Sequence, residues 1–156
     1  MPFFDRLRRL IPGAPSTPLS RGARALERGR LDAAEAALAE ALVAAATPAE
    51  LAAVRNKRAV LAVRRHDRAG AVEELIAALE ADPRSAAAIT TLGNLLLEEG
   101  AAAEAVEHYE YAILVDEGYA PAYHNLGVAL HRSGRRGEAV RMLRKATRLE
   151  GRMRRA

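Results

Sequence analysis

The pair Leu92-Gly93 returns 34 residues later as Leu126-Gly127, and the echo extends well beyond these two positions. Laying residues 86–119 over 120–153 places Leu96 on Leu130, Gly100 on Gly134, Glu104 on Glu138 and Ala105 on Ala139. Val106 likewise meets Val140, Tyr109 meets Leu143 and Ala112 meets Ala146. A period of this length marks a stack of like units, each too small to bury its own apolar face, so that neighbours must stabilise one another. Within each unit a small residue on one helix and a large apolar residue on the next let two antiparallel helices approach closely.

The full pattern, L-G-x-x-L-x-x-x-G-x-x-x-E-A-V-x-x-[YL]-x-x-A, resembles the tetratricopeptide repeat (TPR), a helix-turn-helix unit of 34 residues. The resemblance implies an all-α, right-handed superhelical solenoid of about four repeats, at about 15–46, 49–84, 85–118 and 119–152. In the first, Gly22 and Gly29 take the places of Gly93 and Gly100, and Ala34, Leu38 and Ala41 those of Ala105, Tyr109 and Ala112. About three extra residues near Ala44 to Pro48 separate the first and second units. Thr47-Pro48 followed by Glu50 reads as a helix start, with Ser85 and Asp67 as further N-caps. The helix over 48–65 is the least regular: Arg55 and Arg58 stand at apolar positions and Ala59 replaces the glycine, which predicts either a register slip or snorkelling Arg stems.

Composition fits a folded chain of 156 residues, 50% hydrophobic and 28% charged, with aromatics at only 4%, so burial must rest on Ala, Leu and Val. The absence of cysteine excludes disulfides and thiolate metal sites. Of the 24 basic residues 22 are Arg, which with abundant Ala suggests a GC-rich bacterial source. No signal peptide and no apolar run of membrane-spanning length are read, which points to a cytoplasmic protein. Charge is segregated: 85–131 holds seven acids and no Lys or Arg, whereas 132–156 holds ten bases and two acids.

Residues 1–14 form a separate N-terminal unit. Phe3, Phe4, Leu7, Leu10 and Ile11 share one side of a short amphipathic helix backed by Arg6, Arg8 and Arg9, and a Pro-rich linker follows. This segment either caps the first repeat or docks on a partner or on the inner membrane surface. At the other end Arg141, Lys145, Arg148, Arg152 and Arg155 form a continuous stripe if the last helix runs past Gly151, either a polar cover for the stack or an anion-binding face.

No phosphate loop, dinucleotide fingerprint or nucleophile elbow occurs, so no catalytic, cofactor-binding or metal residues are assigned. His124 and His131, seven apart on one helix, lie roughly 10 Å from each other, too far to share an ion. What the resemblance does imply is a concave groove lined by the first helix of each repeat. Its candidate contacts are Asn56 and Lys57 in the second repeat, Thr90, Asn94 and Leu97 in the third, and His124, Asn125, Val128, His131 and Arg132 in the fourth. Asn94 and Asn125 match an asparagine pair that, in such proteins, grips ligand backbone, the amide being able to donate and accept at once. The basic residues with which chaperone-tail clamps of the family hold a carboxylate are neutral here, at Thr90, Thr91 and Pro121, which argues against an acidic C-terminal tail as ligand. The expected function is a non-catalytic scaffold that binds a peptide segment or helix of a protein partner. The alternatives are association of the basic stripe with RNA or acidic lipid, nucleic acid being the less favoured, and self-assembly into a homo-oligomer.

Overall fold

A computed structural model describes residues 16–153 and residue 155. Among these residues eight helices follow one another: α1 Pro18–Glu27, α2 Leu31–Ala44, α3 Pro48–Arg64, α4 Arg68–Ala81, α5 Ala86–Glu98, α6 Ala102–Val115, α7 Ala120–Arg132 and α8 Arg136–Met153. Among the described residues there is no strand.

The helix starts follow local chemistry. Thr47 and Glu50 close a capping box, the Thr47 hydroxyl accepting from the Glu50 N–H while the Glu50 carboxylate accepts from the Thr47 N–H. That carboxylate also accepts from the Ala46 N–H, and these main-chain donors hold it below the usual carboxylate range. Asp67 accepts from the Gly70 N–H at 2.9 Å, and Ser85 from the Ala88 N–H at 3.4 Å. Between repeats, Asp82 and Asp116 occupy matching places, each accepting from the N–H two residues on. The extra residues after Ala44 are absorbed as helix: α3 has 17 residues, against 13 in α5 and in α7.

Each helix packs on the next, and in addition α1 touches α3, α3 touches α5 and α5 touches α7, whereas the even-numbered helices do not touch one another. Odd helices therefore form a tight inner layer and even helices a splayed outer one, which makes the odd-helix face concave. The close approach within each pair is set by glycine. A Cβ on Gly22, Gly93 or Gly127 would stand 2.7 Å from the Leu38, Tyr109 or Leu143 side chain. In the second pair Ala59 takes that place, fully buried in one cluster with Leu75.

That placement settles the reading of α3, where the register does not slip. Arg55 and Arg58 turn toward α4 and share Glu74, at 3.1 and 2.7 Å. The Arg58 position is Leu92 in α5 and Leu126 in α7, so an ion-paired arginine stands where those helices carry leucine. Arg21, at the same position of α1, pairs with Glu40 of α2.

Candidate partner-binding groove

On the concave face α5 and α7 lie side by side, and Tyr109 of α6 reaches between them from below Gly93. Tyr109 is fully buried, and its hydroxyl donates to Asn94 Oδ1 at 2.8 Å. Asn125 Nδ2 donates to the same oxygen, also at 2.8 Å. Burial pushes the Tyr109 phenol up to about 12, so at neutral pH it keeps the proton it donates. Both lone pairs of Asn94 Oδ1 are thus engaged. Among the described residues the Asn94 amide N–H groups and Asn125 Oδ1 have no protein partner. The arrangement holds a donor on one helix and an acceptor on the next in a fixed relation.

These groups open into a cleft of about 210 Å³ lined by Asn94, Leu97, Glu98, Tyr109, Asn125, Val128 and Arg132. Apolar walls from Leu97 and Val128 stand beside one acid, Glu98, and one base, Arg132. Five expected groove residues, Asn94, Leu97, Asn125, Val128 and Arg132, are brought together here. His124 and His131 are exposed on α7 but do not line the cleft.

Two expected contacts are corrected by their burial. Thr90 is 3% exposed, and its hydroxyl donates to the Ala86 carbonyl of its own helix at 2.7 Å. Asn56, in the matching place on α3, is 5% exposed, and its Oδ1 has no protein partner. Neither side chain lies on the open face, because the inner helices touch at this level of the stack. Lys57 beside them is half-buried. Tyr109 is the residue that sequence reasoning passed over as a packing position. Its signal is a hydroxyl where the other repeats carry Leu38, Leu75 and Leu143.

The helix α8 does run through Gly151, to Met153, so the basic stripe is continuous along it from Arg141 to Arg152, and Arg155 lies beyond its end. Arg141, Arg148, Arg152 and Arg155 are exposed, and among the described residues none of them pairs with a carboxylate. Lys145 is instead half-buried, its Nζ 5.8 Å from the centre of the Tyr123 ring. Phe3, Phe4, Leu7 and Leu10 lie outside the described residues. Among the described residues no helix is long and apolar enough to cross a membrane.

Family models described as "TPR repeat" and "Tetratricopeptide repeat" match residues 93–134 and 120–152. Over 60 residues, 38% of its length, the chain is 40% identical to the probable UDP-N-acetylglucosamine-peptide N-acetylglucosaminyltransferase SPINDLY of Solanum lycopersicum. The match spans only 6% of that protein. Among solved structures, that of MamA aligns with TM-score 0.61 at 24% identity, over 98% of this chain and 88% of its own. The structure of pilF from Pseudomonas aeruginosa aligns with TM-score 0.68 at 25% identity, over 85% of this chain and 59% of its own. YrrB, described as a TPR protein with an unusual peptide-binding site, aligns with TM-score 0.57 at 22% identity, over 96% and 76%. One 34-residue phase carries the sequence echo and both family matches: residues 93–152 carry tetratricopeptide repeats, and the described chain has the fold of an all-α tetratricopeptide-repeat solenoid, generally a non-catalytic scaffold for protein interaction.

Proposed function

We propose that the concave cleft between α5 and α7 binds an extended peptide segment of a protein partner, gripped through its main chain by Asn94 and Asn125. The observation that carries this reading is the Tyr109-Asn94-Asn125 network, which uses the Asn94 oxygen internally and leaves a donor and an acceptor on adjacent helices. A peptide unit offers the complementary carbonyl and N–H at every residue, so such a pair holds backbone whatever the side chains. Leu97 and Val128 then favour an apolar side chain beside the gripped unit, with Glu98 and Arg132 selecting charges at its flanks.

The test is a nuclease-treated pull-down from native extract with the wild-type chain and with Asn94→Ala plus Asn125→Ala, followed by titration with peptides from any protein lost in the variant. The double variant is expected to weaken the peptide complex by on the order of tenfold or more, at about 0.5–1.5 kcal/mol per hydrogen bond. Equal enrichment and equal affinity in both proteins would sink the reading. A second reading rests on the unpaired Arg141, Arg148 and Arg152 of α8, which suit an RNA or acidic lipid surface. Binding there would weaken steeply from low to high salt, whereas capture by neutral amides would hold.

A further inference from the structure

The first two odd helices differ in length, and the difference leaves a notch. The shared small position is the fifth residue of α1 at Gly22, but the eighth of α5 at Gly93 and of α7 at Gly127, and the twelfth of α3 at Ala59. Helix α1 therefore starts three residues late and α3 four residues early. The first seven residues of α3, about 10 Å of helix, have no α1 alongside them. A cavity of about 330 Å³ lies here, with Leu19, Ala41, Ala45 and Val54 among its walls. Among the described lining residues only Thr17 and Glu50 have polar side chains, and both are already used. Thr17 caps α1 by accepting from the Ser20 N–H, and the Glu50 carboxylate accepts from the N–H groups of Ala46 and Thr47. Among the described residues the notch thus offers mostly apolar side chains and no unspent polar side chain, as an apolar occupant requires.

We infer that the occupant is the chain's own segment 3–11, seated by Phe3, Phe4 and Leu7, so that residues before α1 complete the inner layer that α1 leaves short. The covalent path fits: five residues, Pro12 to Ser16, join this segment to Thr17, which itself lines the cavity. At about 3.3–3.6 Å per residue they reach roughly 17 Å, enough to fold back across the notch and too little to reach the far repeats. Tethering at that length gives an effective concentration in the millimolar range, which favours this partner over a free one. Both phenylalanines of the protein lie in the segment, and helical spacing sets them apart from Arg6, Arg8 and Arg9. The inference stands apart from the groove reading, because the notch lies at the other end of the stack from α5 and α7.

The chain has no tryptophan, so Phe4→Trp introduces a single indole. In the full chain its emission is expected to be blue-shifted, and its quenching by acrylamide severalfold weaker than in the urea-unfolded protein, independent of protein concentration. Ala45→Arg, at a half-buried position on the notch rim, is expected to return the indole to water while the far-ultraviolet circular dichroism stays unchanged. Should Ala45→Arg disturb the helices, Ala44→Arg at the exposed neighbouring position serves instead. A solvent-exposed indole in the unmodified notch overturns the inference, and so does one buried only on adding anionic vesicles. Burial that grows with concentration overturns it equally, since the segment would then sit on a second copy.

Discussion

A histidine stands where three glycines stand at the matching turns. Gly29, Gly100 and Gly134 end the first helix of their pairs with φ of 69, 84 and 77°, and His66 takes the same turn at 60°. The left-handed region costs an L-residue about 1–2 kcal/mol, and glycine avoids that cost while losing about 0.4–1 kcal/mol through its freer unfolded chain. His66→Gly is therefore expected to stabilise the protein by about 0.5–1 kcal/mol. The check is urea unfolding, where the midpoint should rise with the slope unchanged; an unaltered or lower midpoint would show that the imidazole contributes more than its strain costs. Tyr109 is the contrasting residue. Its hydroxyl fixes which way the Asn94 amide points, so a change from the Leu of the other repeats adds a hydrogen bond to a position that otherwise only fills space.

At the scale of the element, α3 is where repeat regularity and stability part company. Its Arg55 and Arg58 stand at positions held by Ile89 and Leu92 in α5, and both converge on Glu74, whose side chain is 15% exposed. Glu74→Ala leaves two half-buried guanidinium groups without their partner and is expected to cost about 1–3 kcal/mol, measured by the same unfolding experiment. Arg58→Leu with Glu74→Leu puts an apolar pair in place of the charged one and should recover most of that loss, since a paired charge and a well-packed apolar pair come out near even. A double variant as unstable as Glu74→Ala would mean that the ion pair itself holds α3 on α4. This is also where the sequence became hard to read. The phase of the helices was legible in Leu92-Gly93, in Thr47-Pro48 and in Ser85, because those residues act on their own backbone or on a neighbour one helix away. The reason for Arg58 was not, because it lies 16 residues off in Glu74, beyond any local pattern. The groove was legible only in part for the same reason. Asn94 and Asn125 announce themselves by spacing, but the burial of Asn56 and Thr90 depends on how closely the inner helices touch.

The whole molecule is a stack in which contact passes only between neighbours, so stability should vary along it. Helix α3 touches helices on both sides, α2 and α4 in sequence and α1 and α5 in the inner layer, whereas among the described helices α8 touches only α7. The consequence is visible at one repeated position: Val106 of α6 is 8% exposed under α7, and Val140 in the matching place on α8 is 45% exposed. Amide hydrogen exchange is therefore expected to be slowest in α3 to α6 and fastest in α8, with α7 between them. Self-association through α8 would invert that order by covering Val140, but the charges oppose the head-to-tail form. Arg141, Arg148 and Arg152 of α8 would meet Arg24 and Arg28, exposed at the first helix and its C-terminal turn, and unlike charges are concentrated instead on the acidic third repeat. The protection of α8 should accordingly stay the same as protein concentration is raised. If it rises instead to match α3, the end helix is a subunit contact, and the basic stripe is then best understood as part of an interface between copies rather than as a solvated cover.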